Sequence, residues 1–371
     1  MYSTVKGGEA AIAAAEALLR RRRRGDPAIP EIGVEQVREQ MGLGVSRVMA
    51  EGGLYDPPAA AIALKQAQGD TVEAAYLLRA FRSTLARFAA SKPLETGAML
   101  VRRSLSTTHK SVPDGQILGP TYDYTHRLLD FSLLQEAELP EEPEAAMPPA
   151  ASARTAATRD RDLIETLPDE TDAAVYDLTR QPITLPASRD QRLQALARGD
   201  EGFLVGLAYS SFRNYGKNHP FLATLKEGFV DVLIDIPELG ESACIGEISV
   251  TECVTFHKFV GSGDPEADPP RFTRGYALVL GHCERKAIAM AIVDRALRSR
   301  ELGESHDYPV QDEEFVLTHA DSIDASGMVQ HIKLPHYVDF QAEILSVEEL
   351  REAGRAKATP TSVPADEEAL A

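Results

Sequence analysis

The stretch Phe229-Val230-Asp231-Val232-Leu233-Ile234-Asp235 decides how this chain folds. Its β-branched residues predict a strand, and residues 243–256 carry the same signature. A third strand is expected at 276–280, beyond a loop at 261–270 that holds two glycines and three prolines. Directly afterwards, residues 284–298 read as a helix with Ala287, Met290, Ala291, Val293 and Leu297 on its buried side. Antiparallel-looking strands packed with helices predict an α+β fold.

Working outward, the N-terminal part reads as helical. Residues 8–24 are rich in Ala and Leu and end in Arg20 to Arg24 before Gly25, which places cations in the last turn and a glycine stop behind them. The arginines are either a solvated helix end or a patch that contacts phosphate or a partner. Two short helices are expected at 34–51 and 58–68. A further one is capped by Asp70 with Glu73 three residues on, and carries a stripe of Leu77, Phe81, Leu85 and Phe88. Residues 98–107 read as a strand, and 119–131 as a turn leading into a helix. Residues 190–212 make an apolar-striped helix that Gly199 and Gly202 interrupt, and the last helix falls near 312–320. The expected organisation is a mainly helical module at 1–135, a flexible Pro/Ala/acidic linker at 136–172, an α+β domain at 173–346 and a disordered acidic tail at 347–371.

Of the 371 residues, 43% are apolar and 26% charged, an ordinary globular balance. No run of eighteen apolar residues occurs, so no membrane span is expected. The N-terminus lacks the apolar core of a secretory leader, and three cysteines fit a reducing compartment, so the expected location is the cytoplasm. The formal charge of −18 is unevenly placed. Residues 136–172 hold eleven acids against three arginines, and 341–371 hold seven acids against three bases, leaving −6 for the other 303 residues. That distribution permits a phosphate site in the folded part and argues against a nucleic-acid partner, which needs a broad basic surface.

The most informative string for chemistry is His331-Ile332-Lys333-Leu334-Pro335-His336-Tyr337-Val338-Asp339-Phe340. Pro335 forbids an uninterrupted helix, so both imidazoles sit on a turn that can aim them at one point. Neutral imidazole suits zinc at this spacing, but two ligands are half a site. On spacing alone, metal ligation competes with two hydrogen-bonded structural histidines. No Gly-x-x-x-x-Gly-Lys-[Ser/Thr] string and no closely spaced cysteine triplet occurs, which excludes a P-loop ATPase and a radical iron–sulfur centre within this chain.

That string resembles the subunit I family of the carbon–phosphorus lyase core complex. So do residues 119–131, Gly199-Asp200-Glu201-Gly202, Asn218-His219-Pro220-Phe221, residues 311–317, Val5-Lys6-Gly7-Gly8-Glu9 and Phe272-Thr273-Arg274-Gly275-Tyr276. The likeness runs in order from the N-terminus to about residue 345. It implies a subunit of alpha-D-ribose 1-methylphosphonate 5-triphosphate synthase, in which an alkylphosphonate displaces the purine of ATP or GTP at the anomeric carbon. It further implies purine nucleosidase activity for the chain alone, G, H and J subunits as partners, two copies of each in the complex, and zinc held by His331 and His336 close to the J subunit. The alternative is a non-catalytic scaffold that lends two zinc-binding histidines to its neighbour. One departure stands out. The family's helix opens Ser-Glu-Arg-Lys where this chain has Cys283-Glu284-Arg285-Lys286, so Cys283 reads as a helix-cap replacement.

Cleaving an N-glycosidic bond builds positive charge on the ribose and negative charge on the departing purine. Carboxylates stabilise the first and a proton donor the second. A magnesium-bound triphosphate needs cations and N–H donors. Tyr122, Asp123, His126 and Arg127 offer these types within six residues, with Asp123 and His126 as the catalytic candidates and Tyr122 and Arg127 as substrate contacts. The plainer reading makes Asp123 a helix cap and Tyr124 a packing residue. Arg213, Lys217 and His219, in a glycine-containing loop, are further candidates for substrate binding, and an ordinary surface turn would look the same. Glu247 and Glu252 are either strand faces or a carboxylate for the sugar.

Overall fold

The structure is a computed structural model describing residues 8–109, 116–135, 163–166, 176–215, 219–238, 240–261 and 268–358. Contacts group the chain into two units, Asp26–Ala325 and Met1–Gly25 with Ser326–Ala371. In the latter, α1 (Gly8–Arg24) has the expected bounds and no buried residue. Its arginine run ends the helix as a solvated last turn.

The larger unit opens with α2 (Val34–Gln40), α3 (Gly42–Gly52), α4 (Pro57–Gln66) and α5 (Thr71–Thr84), closed around Val37, Val48, Met49, Ala60, Leu64 and Leu78. The single helix expected at 34–51 is two. Met41 leaves helical geometry (φ −117°, ψ 33°), and Gly42 and Gly44 beside it are poor helix formers. The Asp70 cap is present, accepting from Val72 N and Glu73 N at 3.0 and 3.2 Å. The buried face of α5 is not the expected stripe. Ala74, Ala75 and Leu78 are buried, while Phe81, Leu85 and Phe88 are exposed. Contact with α3 explains this: a Cβ on Gly52 would lie 3.0 Å from Leu78, so α5 turns that side inward.

Four strands, β1 (Leu100–Leu105), β2 (Phe221–Ile236), β3 (Glu241–Phe259) and β4 (Arg271–Leu280), pair antiparallel in the order β1-β2-β3-β4. The fold is α+β, as expected. The domain division is not the expected one, because β1 lies inside the supposed helical module yet pairs with β2, Leu100 opposite Phe229 and Leu105 opposite Leu225. Most of the supposed linker at 136–172 lies outside the described residues. Residues 163–166 are described, and they are seated on the sheet. Glu165 N donates to Phe272 O at 2.9 Å, and the Glu165 carboxylate accepts from Arg298 Nη1 and Nη2 at 2.7 and 2.9 Å. Average composition hid one buried acid.

The 190–212 pattern is two helices, α6 (Arg189–Arg198) and α7 (Glu201–Tyr215), split at Gly199-Asp200. Asp200 N donates to Ala320 O at 2.7 Å and its carboxylate caps Phe203 N at 2.6 Å. Helix α8 (Glu284–Leu297) lies on the sheet so closely that a Cβ on Gly275 would stand 1.9 Å from Ala291 O, which only glycine allows. Leu204, Leu225, Cys253, Ala277, Met290 and Val293 form the core there. The predicted apolar side of α8 is buried, and so is much of its polar side. Asp294 accepts from Arg189 Nη2 at 2.7 Å and Tyr276 N at 2.9 Å, and Arg295 pairs with Glu304 at 2.7 Å. These pairings offset the cost of burying charge.

The expected helix within 119–131 does not form. A turn at 121–125 runs into irregular backbone and a single 3-10 turn, Phe131–Leu134, capped by Asp130. Helices α9 (Glu313–His319), α10 (Ser322–Gln330) and α11 (Tyr337–Ala358) follow. Helix α11 extends through 347–358 of the supposed disordered tail. Asp339 in its first turn and Arg355 and Lys357 in its last suit the helix dipole. Among the described residues no helix is long and apolar enough to cross a membrane.

Candidate active site

The turn from β4 into α8 is held by α3 on one side and β3 on the other. Gly281 takes a positive φ of +74°, and a Cβ there would sit 2.7 Å from the Ser46 side chain. Gly281 N donates to Ser249 O at 2.8 Å, His282 N to Ser46 Oγ at 3.2 Å, and Cys283 N to Thr251 Oγ1 at 3.0 Å. Thr251 Oγ1 donates in turn to Gly281 O at 2.7 Å. His282, Cys283 and Glu284 are therefore delivered at a fixed place, the N-terminus of a fourteen-residue helix.

Arg103, on β1, anchors the opposite wall. Its side chain is fully buried and donates from Nε to Glu284, from Nη1 to Leu118 O and from Nη2 to Asp123. One guanidinium thus clamps the loop at 118–123 onto the head of α8, and Asp123 serves as its partner instead of a helix cap. Arg127 Nη2 reaches the other Asp123 oxygen at 3.5 Å. On the remaining side Glu201, at the start of α7, accepts from Arg285 Nε at 3.0 Å, and its own N–H donates to Glu51 Oε1 at 3.1 Å.

Between these walls lies a cavity of about 600 Å³. Thr121, Tyr122, Asp123 and Arg127 line one side, and Glu201, His282, Glu284 and Arg285 the other. Three carboxylates, two guanidiniums, an imidazole and a phenol thus face one space beside a helix N-terminus, whose N–H groups favour anions. Burial works to raise the Glu284 pKa, but the nearby His282 and Arg103 hold it below the usual carboxylate range. The Glu284 carboxylate, 3.7 Å from His282 Nε2, raises the imidazole's pKa against its burial, aided by the charge of Glu227. Glu227 itself is pushed up by burial. Burial also pushes the Cys283 thiol up to about 12, so it is a packed cap without a side-chain capping bond and no nucleophile at neutral pH. Lys286, one turn on, is fully buried without a hydrogen-bond partner, and burial lowers its pKa.

Of the sequence candidates, Tyr122, Asp123 and Arg127 line the cavity. His126 is exposed and does not line it. Arg213 is exposed at the end of α7, and His219 is exposed with its ring 5.3 Å from that of Phe221; neither lines the cavity. Lys217 lies outside the described residues. Glu252 is a buried strand residue paired with Lys226 at 2.7 Å, and Glu247 is exposed on β3. Sequence reasoning passed over Arg103, Glu201, His282 and Glu284. A pair of arginines inside a strand, and acids within the strings that carried the family likeness, were the available signals.

In the smaller unit, His331 and His336 flank the 3-10 turn His331–Lys333 and Pro335, their ring centroids 5.3 Å apart at 74°. His331 Nδ1 pairs with Met328 O and His336 Nδ1 with Leu334 O. A carbonyl can only accept, so each Nδ1 carries the proton and each Nε2 presents a lone pair, the tautomer a metal ligand needs. Among the described residues no group of three or more His, Cys, Asp or Glu side chains gathers at one point.

A helix-capped α+β core with a carboxylate- and arginine-lined cavity defines the architectural class of this protein. Its sequence narrows this: the profile of the bacterial phosphonate metabolism protein (PhnI) family matches residues 1–354, and the chain belongs to that family. A relative from Escherichia coli (strain K12), alpha-D-ribose 1-methylphosphonate 5-triphosphate synthase subunit PhnI, is 51% identical over 352 residues, covering 95% of this chain and 99% of the relative. The protein of the same name from Rhizobium meliloti (strain 1021) is 53% identical over 355 residues, 95% of each chain. A putative C-P lyase subunit protein, HtxH, from Stutzerimonas stutzeri is 39% identical over 98% of this chain and 99% of its own length.

Proposed function

We propose that this chain is the subunit of alpha-D-ribose 1-methylphosphonate 5-triphosphate synthase that binds ATP or GTP and exchanges its purine for an alkylphosphonate at the anomeric carbon. The observation that carries this reading is the cavity joining Tyr122, Asp123 and Arg127 to the head of α8. Its volume of about 600 Å³ suits a nucleoside triphosphate. Arg127, Arg285 and the α8 N–H groups would face the phosphates, and magnesium would enter as part of the nucleotide substrate. Asp123 and Glu284, tied to buried Arg103, are positioned to face the cationic ribose. Without a phosphonate, water takes the nucleophile's place and the chain acts as a purine nucleosidase.

The donor chemistry of His331 and His336 fits zinc, with both Nε2 atoms available. Bound there, zinc would supply a Lewis-acidic centre at a junction with the J subunit, whose side chains complete the ligand set. The G and H subunits complete an assembly holding two copies of each chain, in the cytoplasm. A second reading, a scaffold lending these histidines to its neighbour, is favoured by apolar side chains exposed around them: Met328, Val329, Ile332, Tyr337 and Phe340. Incubating the purified chain with ATP, with and without its partners, separates the two. Free adenine, diverted to a ribosyl phosphonate when methylphosphonate and partners are present, supports the enzyme. No free base under any metal condition leaves the scaffold.

A further inference from the structure

We infer that His282 is the acid that protonates the departing purine, with Glu227, which stands in the sheet opposite Arg103 of β1 and Thr251 of β3, as a positioning residue. This rests on the cavity being the site of purine displacement. Three observations carry it. His282 is the imidazole lining the cavity. Its backbone is pinned by Ser46 from α3, and the turn behind it by Ser249 and Thr251 from β3, so the ring projects from a rigid base. The charges around the ring divide the labour: Glu284 lies 3.7 Å from Nε2, Glu227 from β2 adds a second carboxylate, and Arg103 from β1 opposes them while neutralising Glu284 and Asp123.

The other groups at the cavity are less suited to proton donation. The Arg103 guanidinium and His282 keep the Glu284 carboxylate ionised and fit to face an oxocarbenium ion, and Asp123 is paired with the same guanidinium. Glu201 is paired with Arg285. The Cys283 thiol is buried. Glu227 is 4% exposed and does not line the cavity, so it acts through His282. Charge from Glu284 and Glu227 keeps the imidazole protonated further toward neutral pH than a free histidine. Two groups driven apart in proton affinity, one acid and one base, are the arrangement that general acid–base chemistry uses.

The step balances as follows. The C1′–N9 bond breaks and its electron pair passes to the purine. Imidazolium His282 gives its proton to a purine ring nitrogen, so a neutral base departs. A phosphonate oxyanion forms the new C1′–O bond, or water does so and yields one proton to Asp123 or Glu284. His282, left neutral, regains a proton from solvent.

The test compares GTP with 7-methyl-GTP, whose base already carries a positive charge and leaves neutral without a proton. In the full chain, His282→Asn should lower guanine release from GTP by about 10²–10⁴-fold while leaving 7-methylguanine release close to wild type. Glu227→Gln, which keeps the side chain's size, should move the alkaline fall of kcat/KM for GTP to lower pH, because losing a carboxylate near the imidazole makes it shed its proton sooner. If His282→Asn loses both substrates equally, or Glu227→Gln leaves the pH profile in place, the assignment to His282 is wrong although the cavity still hosts the reaction. If wild type releases base from neither nucleotide, the reading of the cavity itself falls and takes this one with it. Should the His282 variant fail to fold, the pH profile of Glu227→Gln decides alone.

Discussion

Around Arg103, segments far apart in sequence converge: β1, the loop at 118–127, the start of α7 and the head of α8. Around His331 and His336, the nine consecutive residues 328–336 do the whole job, each ring fastened to a carbonyl two or three residues away. The first arrangement is a pre-built site, whose charges are locked by long-range folding. The second is local and exposed, its hydrogen bonds closed within one short stretch of chain. On the proposed function, the difference sets where each responds to mutation: the cavity through stability and chemistry together, the turn through metal and partner binding alone.

Four variants test that contrast, all read as folding stability by chemical denaturation. Arg103→Met should cost most, about 3–5 kcal/mol, since it strands Glu284 and the Leu118 carbonyl in a place sealed by the guanidinium. A loss below about 1 kcal/mol would mean the cavity wall does not depend on this clamp.

Glu165→Gln comes next, at about 1.5–3 kcal/mol, because Arg298 loses its bidentate partner. This substitution carries a pH signature. Burial works to raise the Glu165 pKa, but Arg298 and the Arg274 N–H bring it below its ordinary 4.5. A depressed carboxyl pKa gives stability that is fully present above 4.5 and lost as pH falls through the folded value. The gap between wild type and Glu165→Gln should therefore be constant near neutrality and close in acid. A gap that persists at low pH would show packing, not charge, at work. Any trimming of 136–172 that leaves the fold intact must also spare 163–166.

Arg198→Met should be neutral or stabilising by about 1 kcal/mol. The Nε and Nη1 atoms of Arg198 are buried without partners, and burial together with Arg79 and Arg82 pulls its pKa down to about 10. It is the counterexample to Arg103, a half-buried guanidinium with no clamp to lose. Destabilisation beyond about 1 kcal/mol would reveal a role its contacts do not show. The double change His331→Ala with His336→Ala should move stability least, within about 0.5 kcal/mol, as expected of exposed side chains. The same variant should lose zinc by elemental analysis of the assembled complex and abolish its phosphonate use. Failure of the double variant to fold, or full zinc retention, would break the comparison at its second member.

What could be read in advance follows a physical line. The Asp70 cap, the bounds of α1, the strands, the helix after Cys283 and the Pro335 turn all rest on interactions spanning a few residues, so the sequence alone determined them. The histidine pair belongs with these, because its hydrogen bonds are local. Arg103 and Glu165 could not be read. A charge within a strand or an acidic stretch defaults to solvent unless a distant partner covers it, and those partners, Glu284 and Arg298, stand 181 and 133 residues away. The same holds for β1 joining the sheet and for Asp123 meeting Arg103 in place of capping a helix. Only the tertiary structure decided these, because burial pays the desolvation of a charge through contacts that exist once the chain has closed on itself.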